Sequence, residues 1–264
     1  MLVDAHAHLD KYDNDQIDDV LADIERRRIL TLSVSVDPQS FTRTESIAAK
    51  SALVVPSFGI HPEKAPLLFA SLGAVEELVA RAPMIGEIGL DHRFIDDEAQ
   101  YGPQREVFAS MLEWAGAQGK VVNLHCSGAE AETLHMLASH GIERAIVHWY
   151  SGPLDVLSDL IAAGYLITVG VEVLYSVHIQ RVAQLIPEGQ LLTETDNPGG
   201  LEWLTGEIGR PSHLGPVLDE VGRLRGVQAA ELIPIIHDNL ARLMQNDRHV
   251  AAWRSEFGGR GAAP

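Results

Sequence analysis

Histidine and carboxylate side chains bind divalent cations and move protons near neutral pH, and here they recur in short clusters behind apolar runs. The first reads Asp4-Ala5-His6-Ala7-His8-Leu9-Asp10. In an extended segment, residues two apart share a face. His6 and His8 then project together, as two imidazoles must to reach one metal ion. Alone, a His-x-His pair is also found on solvated surfaces, so its meaning depends on what the fold brings to it. Other polar residues close later apolar runs: His61 in Gly59-Ile60-His61-Pro62, Glu87 in Gly86-Glu87-Ile88-Gly89-Leu90-Asp91, His125, His148, and Glu194-Thr195-Asp196. Each has an ordinary explanation by itself. His125 or His148 could be a buried, hydrogen-bonded histidine, Glu87 half of an ion pair, and Asp196 the cap of the turn Asn197-Pro198-Gly199-Gly200. Gathered at one end of one fold, His6, His8, His125, His148, Glu87 and Asp196 would carry a heavy desolvation and repulsion cost without cations. Mixed imidazole and carboxylate donors suit Zn²⁺, Mn²⁺ or Mg²⁺.

The elements that must position these residues alternate. Apolar, β-branched runs at Leu2–His6, Ile29–Val36, Leu53–Ile60, Met84–Leu90, Val121–His125, Ala145–Trp149, Tyr165–Gly170 and Leu191–Thr195 read as strands buried on both faces. Helix-compatible stretches follow them at Asp15–Arg28, Ser40–Ser51, Ser71–Arg81, Pro103–Gln118, Glu130–His140, Leu154–Ala163, Ser176–Ile186 and Leu214–Arg225. Such alternation predicts parallel βαβ units. Eight of them in 264 residues predict an α/β fold, a closed (β/α)8 TIM barrel. An open doubly wound sheet is the alternative, but no G-x-G-x-x-G follows the first strand. Two further helices, Ala229–Asn246 and His249–Phe257, extend the domain to residue 257, and 258–264 (GGRGAAP) reads as a frayed, disordered tail. Barrel active sites lie at the C-terminal ends of the strands, where the polar clusters fall.

Composition narrows the classes. Hydrophobic residues make up 46% and charged residues 22%, as in an ordinary globular protein. The single cysteine, Cys126, allows no disulfide framework within the chain. With no spanning apolar run and no leader-like segment, these features lead to the expectation of a cytoplasmic protein without membrane contact. The net charge of -17 repels nucleic-acid backbones, so a nucleic-acid substrate needs a local explanation.

The segments DAHAHLD, FGIHPE, IGEIGLD, PQREVF, NLHCSG, HWYSG and ETDNP, in order from residue 4 to 198, resemble the TatD family of metal-dependent hydrolases within the amidohydrolase-like barrels. Asn239-Leu240-Ala241-Arg242-Leu243 fits as well. The resemblance implies two divalent ions, with Glu87 bridging them, His6, His8 and Asp196 holding one, and His125 and His148 the other. It implies a deoxyribonuclease, 3′–5′ exonuclease-like, acting on a nucleic-acid end or a small phosphoester through a two-metal-activated water. Asp196 is the expected general base and, with Glu87, carries the catalysis. His61 is expected to contact substrate or phosphate rather than metal, and Glu194 to line the site or relay a proton. Arg93 and Arg210 are candidate phosphate clamps. Trp149, Tyr150 and Trp203 could stack bases, and Asp4 and Asp10 could orient ligand histidines. Cys126 reads as a small buried hydrophobe or a further metal contact.

Two departures touch the substrate. Many family members carry an arginine just after the fifth-strand histidine, where this chain has Cys126-Ser127-Gly128. The eighth-strand segment, often Ala-Pro-Tyr, here continues Asn197-Pro198-Gly199-Gly200. These leave open hydrolysis of a different ester or amide, such as a small phosphoester, a lactone or a D-aminoacyl-tRNA, and, as a lesser alternative, an inactive metal-binding scaffold subunit.

Overall fold

The computed structural model describes residues 1–245 and 247–257, those after 252 by backbone alone. Residues 258–264, the expected frayed tail, lie outside the described residues. Eight parallel strands form one sheet in sequence order: β1 (Leu2–Ala7), β2 (Ile29–Val34), β3 (Val54–Phe58), β4 (Met84–Gly89), β5 (Val122–His125), β6 (Ala145–Val147), β7 (Leu166–Val169) and β8 (Leu191–Thr193). Each ladder is parallel, from Leu2 beside Ile29 to Thr168 beside Leu192. The sheet curls so that β8 meets β1: Asp196 N–H donates to His6 C=O at 3.0 Å, and His8 N–H donates to Asn197 C=O at 2.8 Å. This is the expected (β/α)8 barrel.

The outer layer comprises α1 (Ile17–Arg27), α2 (Pro38–Ala48), α3 (Ala65–Leu68), α4 (Glu76–Arg81), α5 (Tyr101–Gln118), α6 (Glu130–Ser139), α7 (Leu154–Ala162), α8 (Val177–Leu185), α9 (Gly199–Thr205) and α10 (Leu214–Arg225). Two additional helices, α11 (Ala229–Leu243) and α12 (Arg248–Phe257), follow, as the sequence predicts. Helix starts and stops obey local chemistry. Asp37 caps α2, accepting from Ser40 N–H at 2.7 Å, and Pro38 occupies the first turn, where its missing N–H costs nothing. Helix α5 ends at Gly119, in the left-handed conformation. The expected continuous helix over Ser71–Arg81 is instead a 3₁₀ segment, Phe69–Val75, kinked at Ser71 and leading into α4. Ser71 and Gly73 resist a regular helix there. Helix α9 is additional to the sequence prediction, which placed only a turn at Asn197–Gly200.

The buried strand residues are of both kinds: Leu32, Val54, Ile85, Val122, Ile146 and Leu191 are fully buried, as are Asp4, His6, Asn123, Thr193 and Glu194. Asp4 fastens the β1–β8 seam: its carboxylate accepts from Thr195 N–H (2.9 Å), Thr195 Oγ1 (2.7 Å) and Asn197 Nδ2 (3.2 Å).

Two glycines allow the close strand approaches at the rim. A Cβ on Gly59 would lie on the backbone of Glu87, and one on Gly89 would lie on the His125 carbonyl, with Gly89 also at φ +146°. Gly89→Ala meets both obstacles, so it should lower unfolding stability by about 3 kcal/mol. Chemical denaturation of both proteins checks this; an unchanged midpoint and slope would show that the strands do not approach so closely.

Candidate metal centre

The strand ends bring His6, His8, Glu87, His125, His148 and Asp196 together, with Glu87 at the centre. The two oxygens of the Glu87 carboxylate face different groups. Oε2 lies 3.3 Å from His8 Nε2 and 3.6 Å from His6 Nε2. Asp196 Oδ1 completes that side, 3.4 Å from His8 Nε2 and 3.8 Å from His6 Nε2. Oε1 lies 3.0 Å from His125 Nδ1, 3.4 Å from His148 Nε2 and 3.8 Å from His61 Nε2.

These spacings fit a cation. Ligands about 2.1 Å from a tetrahedral ion sit about 3.4 Å from one another. Two of the atoms, His6 Nε2 and Asp196 Oδ1, are buried without a hydrogen-bond partner, an arrangement whose desolvation cost a shared cation would offset. The groupings His6–His8–Glu87, His6–His148–Glu194 and His61–Glu87–His125 each bring three donor atoms within metal-binding reach.

Outer partners fix which ring nitrogen faces inward. Asn123 donates through Nδ2 to Ala5 C=O at 2.8 Å, so its oxygen accepts from His6 Nδ1 at 2.9 Å. The lone pair of neutral His6 is then on Nε2, towards Glu87 and Asp196. Glu194 Oε2 accepts from His148 Nδ1 at 3.2 Å and likewise turns Nε2 inward, while its Oε1 accepts from Trp149 N–H at 2.9 Å. Asn123 and Glu194 thus do what the sequence assigned to Asp4 and Asp10. Asp4 is committed to the seam instead, and among the described residues Asp10 has no histidine partner. The sequence alone places Asp91 at the end of the β4 segment without a role and gives none to Asn123. Asn123 precedes His125 by two, the spacing that puts it on the same strand face, and Asp91 closes the β4 segment.

His125 sits between Glu87 Oε1 and Asp91 Oδ2, at 3.0 Å from each. Two carboxylate acceptors require two N–H groups, so the ring is held as imidazolium. His61 differs. Its Nδ1 accepts from Glu63 N–H at 3.2 Å, so in the neutral ring Nε2 carries the proton and serves as a donor. That suits the expected substrate contact rather than a metal ligand.

Burial and charge pull the titrations apart. Burial alone would lower His6 and His125, but Glu87 acts on both, with Asp196 on His6 and Asp91 on His125, and each is raised to about 9. Burial lowers His8 and His148 to about 3 and His61 to about 4. Burial raises Asp196, and it raises Glu194 to about 7. Burial would also raise Glu87, but the surrounding imidazoles, His61 and His6 foremost, hold its carboxyl well below the usual range. Burial pushes up the Cys126 thiol, and among the described residues Cys126 joins none of the metal-donor groupings, which fits a small buried hydrophobe.

A cavity of about 270 Å³ opens beside the cluster, bounded by His125, His148 and Asp196 on the inner side and by Arg93, Phe94, Trp149, Glu172 and Trp203 towards solvent. Asp196 reaches it, with a side chain 20% exposed against 3% for Glu87. Asp196 and Trp149 hold left-handed backbones, φ +48° and +40°. Such conformations are uncommon away from glycine and recur at functional sites. Arg93 stands at the rim, its Nη1 donating to Ser151 Oγ at 3.2 Å. Arg210 does not share this cavity: it lines a separate groove with Asp19, Asp23 and Arg26 on α1, because Tyr12 Oη ties the preceding Gly209 carbonyl back towards β1. Tyr150, expected as a stacking residue, faces the core. It is buried, its hydroxyl donating to Pro153 C=O at 2.5 Å, and offers no face for stacking.

Known proteins resemble this chain over most of its length. The family pattern described as "TatD related DNase" matches residues 3–245. The chain is 26% identical to human "Deoxyribonuclease TATDN3" over 94% of its length and 96% of that protein's. It is 27% identical to the "Uncharacterized metal-dependent hydrolase YcfH" of Escherichia coli K12, with 93% and 96% covered. The crystal structure of YjjV, a TatD homologue from E. coli K12, superposes with a TM-score of 0.84 over 92% of this chain and 97% of that one, at 24% identity. Among the described residues no helix is long and apolar enough to cross a membrane.

The raised histidines set a pH dependence. His6 and His125 bind protons more tightly folded, at about 9, than at the ordinary 6.5. The stability they contribute is present below the unfolded value and lost as pH rises through the folded one. Chelator-treated protein should therefore melt at a lower temperature at pH 9 than at pH 7, and adding divalent metal at pH 9 should restore the melting temperature. A melting point that rises with pH in chelator would contradict the charge arrangement described.

Proposed function

The chain belongs to the TatD-related DNase family of metal-dependent hydrolases, and from that membership we propose that it hydrolyses phosphodiester bonds at the free end of a DNA strand with two divalent cations. The observation that carries the two-cation reading is the division of Glu87: Oε2 turned to His6, His8 and Asp196, Oε1 to His125 and His148. Donors of this mixture accept Zn²⁺, Mn²⁺ or Mg²⁺. When bound, such ions make water nucleophilic near neutral pH and neutralise charge on the attacking and leaving oxygens.

The chain's own groups supply the rest. Asp196 is the cluster carboxylate that reaches the cavity, and its raised affinity for a proton suits it to take one from the attacking water. Glu87 stays ionised and fixes the centre. Glu194 is fully buried and aims His148 from behind, so it positions rather than touches substrate. His61 Nε2–H faces the Glu87 side as a donor for a phosphoryl oxygen. Arg93, braced by Ser151, presents its remaining N–H groups to phosphate, the role that the missing arginine after His125 would have filled. The net charge of -17 opposes any long track along a backbone. A cavity of about 270 Å³ that holds one nucleotide-sized group is compatible with that field.

Metal-supplemented hydrolysis of single-stranded DNA by wild type, Asp196→Asn and Glu87→Gln tests this. Wild type should shorten the strand, and each variant should lose at least about 100-fold in kcat. If wild type leaves DNA intact but cleaves a simple ester in a metal-dependent way, the substrate assignment is wrong and the metal chemistry stands.

A further inference from the structure

The outer wall of the cavity has no part in holding metal, and its residues are unusual for a surface. Trp203 is 60% exposed and Phe94 is 59% exposed. They come from separate elements, α9 and the loop after β4, yet their rings meet edge to face, centroids 6.0 Å apart. Trp149 meets Trp203 in the same way at 6.3 Å. Trp149 is fixed: its Nε1 donates to Glu172 Oε2 at 2.5 Å, and its six-membered ring lies over Gly200, where a Cβ would approach it to 2.6 Å. The Arg93 guanidinium stands over the Phe94 ring, 5.5 Å from its centroid. Exposed aromatics scattered singly need no explanation, but a contiguous set beside a reactive centre does.

Glu172 adds the polar element. One carboxylate oxygen holds Trp149, and the other has no hydrogen-bond donor among the described residues. A carboxylate in the cavity wall repels phosphate and accepts N–H groups. Aromatic faces with a fixed acceptor match an uncharged planar ring that carries N–H donors.

We infer that Phe94, Trp149 and Trp203 form a stacking site for the terminal nucleobase of the substrate, and that Glu172 makes it selective for bases with an exocyclic amine. The inference rests on the nucleic-acid reading above and specifies which base that site accepts. Aromatic stacking tolerates every base, because each has a π-face. Selectivity therefore falls to Glu172. The amino group of cytosine or adenine donates to it, whereas thymine turns a carbonyl at the same position towards it.

The test uses the full chain and two ligands, the deoxydinucleotides dC-dC and dT-dT. Binding is measured by calorimetry on chelator-treated protein, and kcat/KM on metal-supplemented protein. Wild type should bind dC-dC at least about five-fold more tightly than dT-dT. Glu172→Gln keeps an acceptor for Trp149 but adds an amide donor, so the preference should turn towards dT-dT. Trp203→Ala should weaken both ligands about ten-fold, and Trp203→Phe should recover most of that loss. Equal affinities in wild type, a preference unmoved by Glu172→Gln, or full binding by Trp203→Ala would each overturn the inference. If the dinucleotides bind with the expected order but neither is cleaved, the base site stands and the nuclease reading fails. If both are cleaved equally well and Trp203→Ala changes nothing, the nuclease stands and the base site falls.

Discussion

A single buried carboxylate organises the rim of this barrel. Glu87 lies within 4 Å of five imidazoles, from strands β1, β3, β5 and β6 or the residues just after them. A carboxylate and five imidazoles removed from water would be unstable together unless charge is balanced and every ring has a defined orientation. Protons on His6 and His125 supply part of that balance here. The same two positions are where metal uptake must displace protons. Burial keeps His8 and His148 neutral, with lone pairs free to ligate.

The remainder of the architecture follows from the need to aim those rings. Asn123 and Glu194 select the inward nitrogens of His6 and His148. Asp91 holds the far side of His125. Asp4 clamps Thr195 and Asn197, so the seam between the first and last strands closes where His6, His8 and Asp196 must meet. Gly59 and Gly89 let neighbouring strands come close enough for Glu87 and His125 to converge. Parallel strands suit such a centre because every strand ends at the same rim.

Much of this was legible in the sequence because strand periodicity and polar termini are local signals. The eight strands were readable from apolar runs bounded by helices, and the rim cluster from the residue ending each run. His6 and His8, two apart, could be assigned a common face without a structure; Glu194 and Asp196 have the same spacing, but β8 ends at Thr193 and Asp196 is left-handed, so Glu194 meets His148 while Asp196 reaches the cavity. What was not legible depends on contacts across the barrel. Whether Asp4 or Asn123 orients His6 turns on register between strands 118 residues apart at their contact. Arg210 carries the right chemistry for a phosphate clamp, but loop geometry sends it to α1. Tyr150 and Trp203 look alike as candidates; one turned into the core and the other out to solvent. Phe94 and Glu172 carry no motif, and only the fold sets them beside Trp149 and Trp203.

The most direct measurement is anomalous diffraction from crystals of the full chain loaded with Mn²⁺ or Zn²⁺. Two peaks flanking the Glu87 carboxylate are predicted, one among His6, His8 and Asp196 and the other beside His125 and His148. A single peak, or peaks away from Glu87, would contradict a two-cation centre built around that residue.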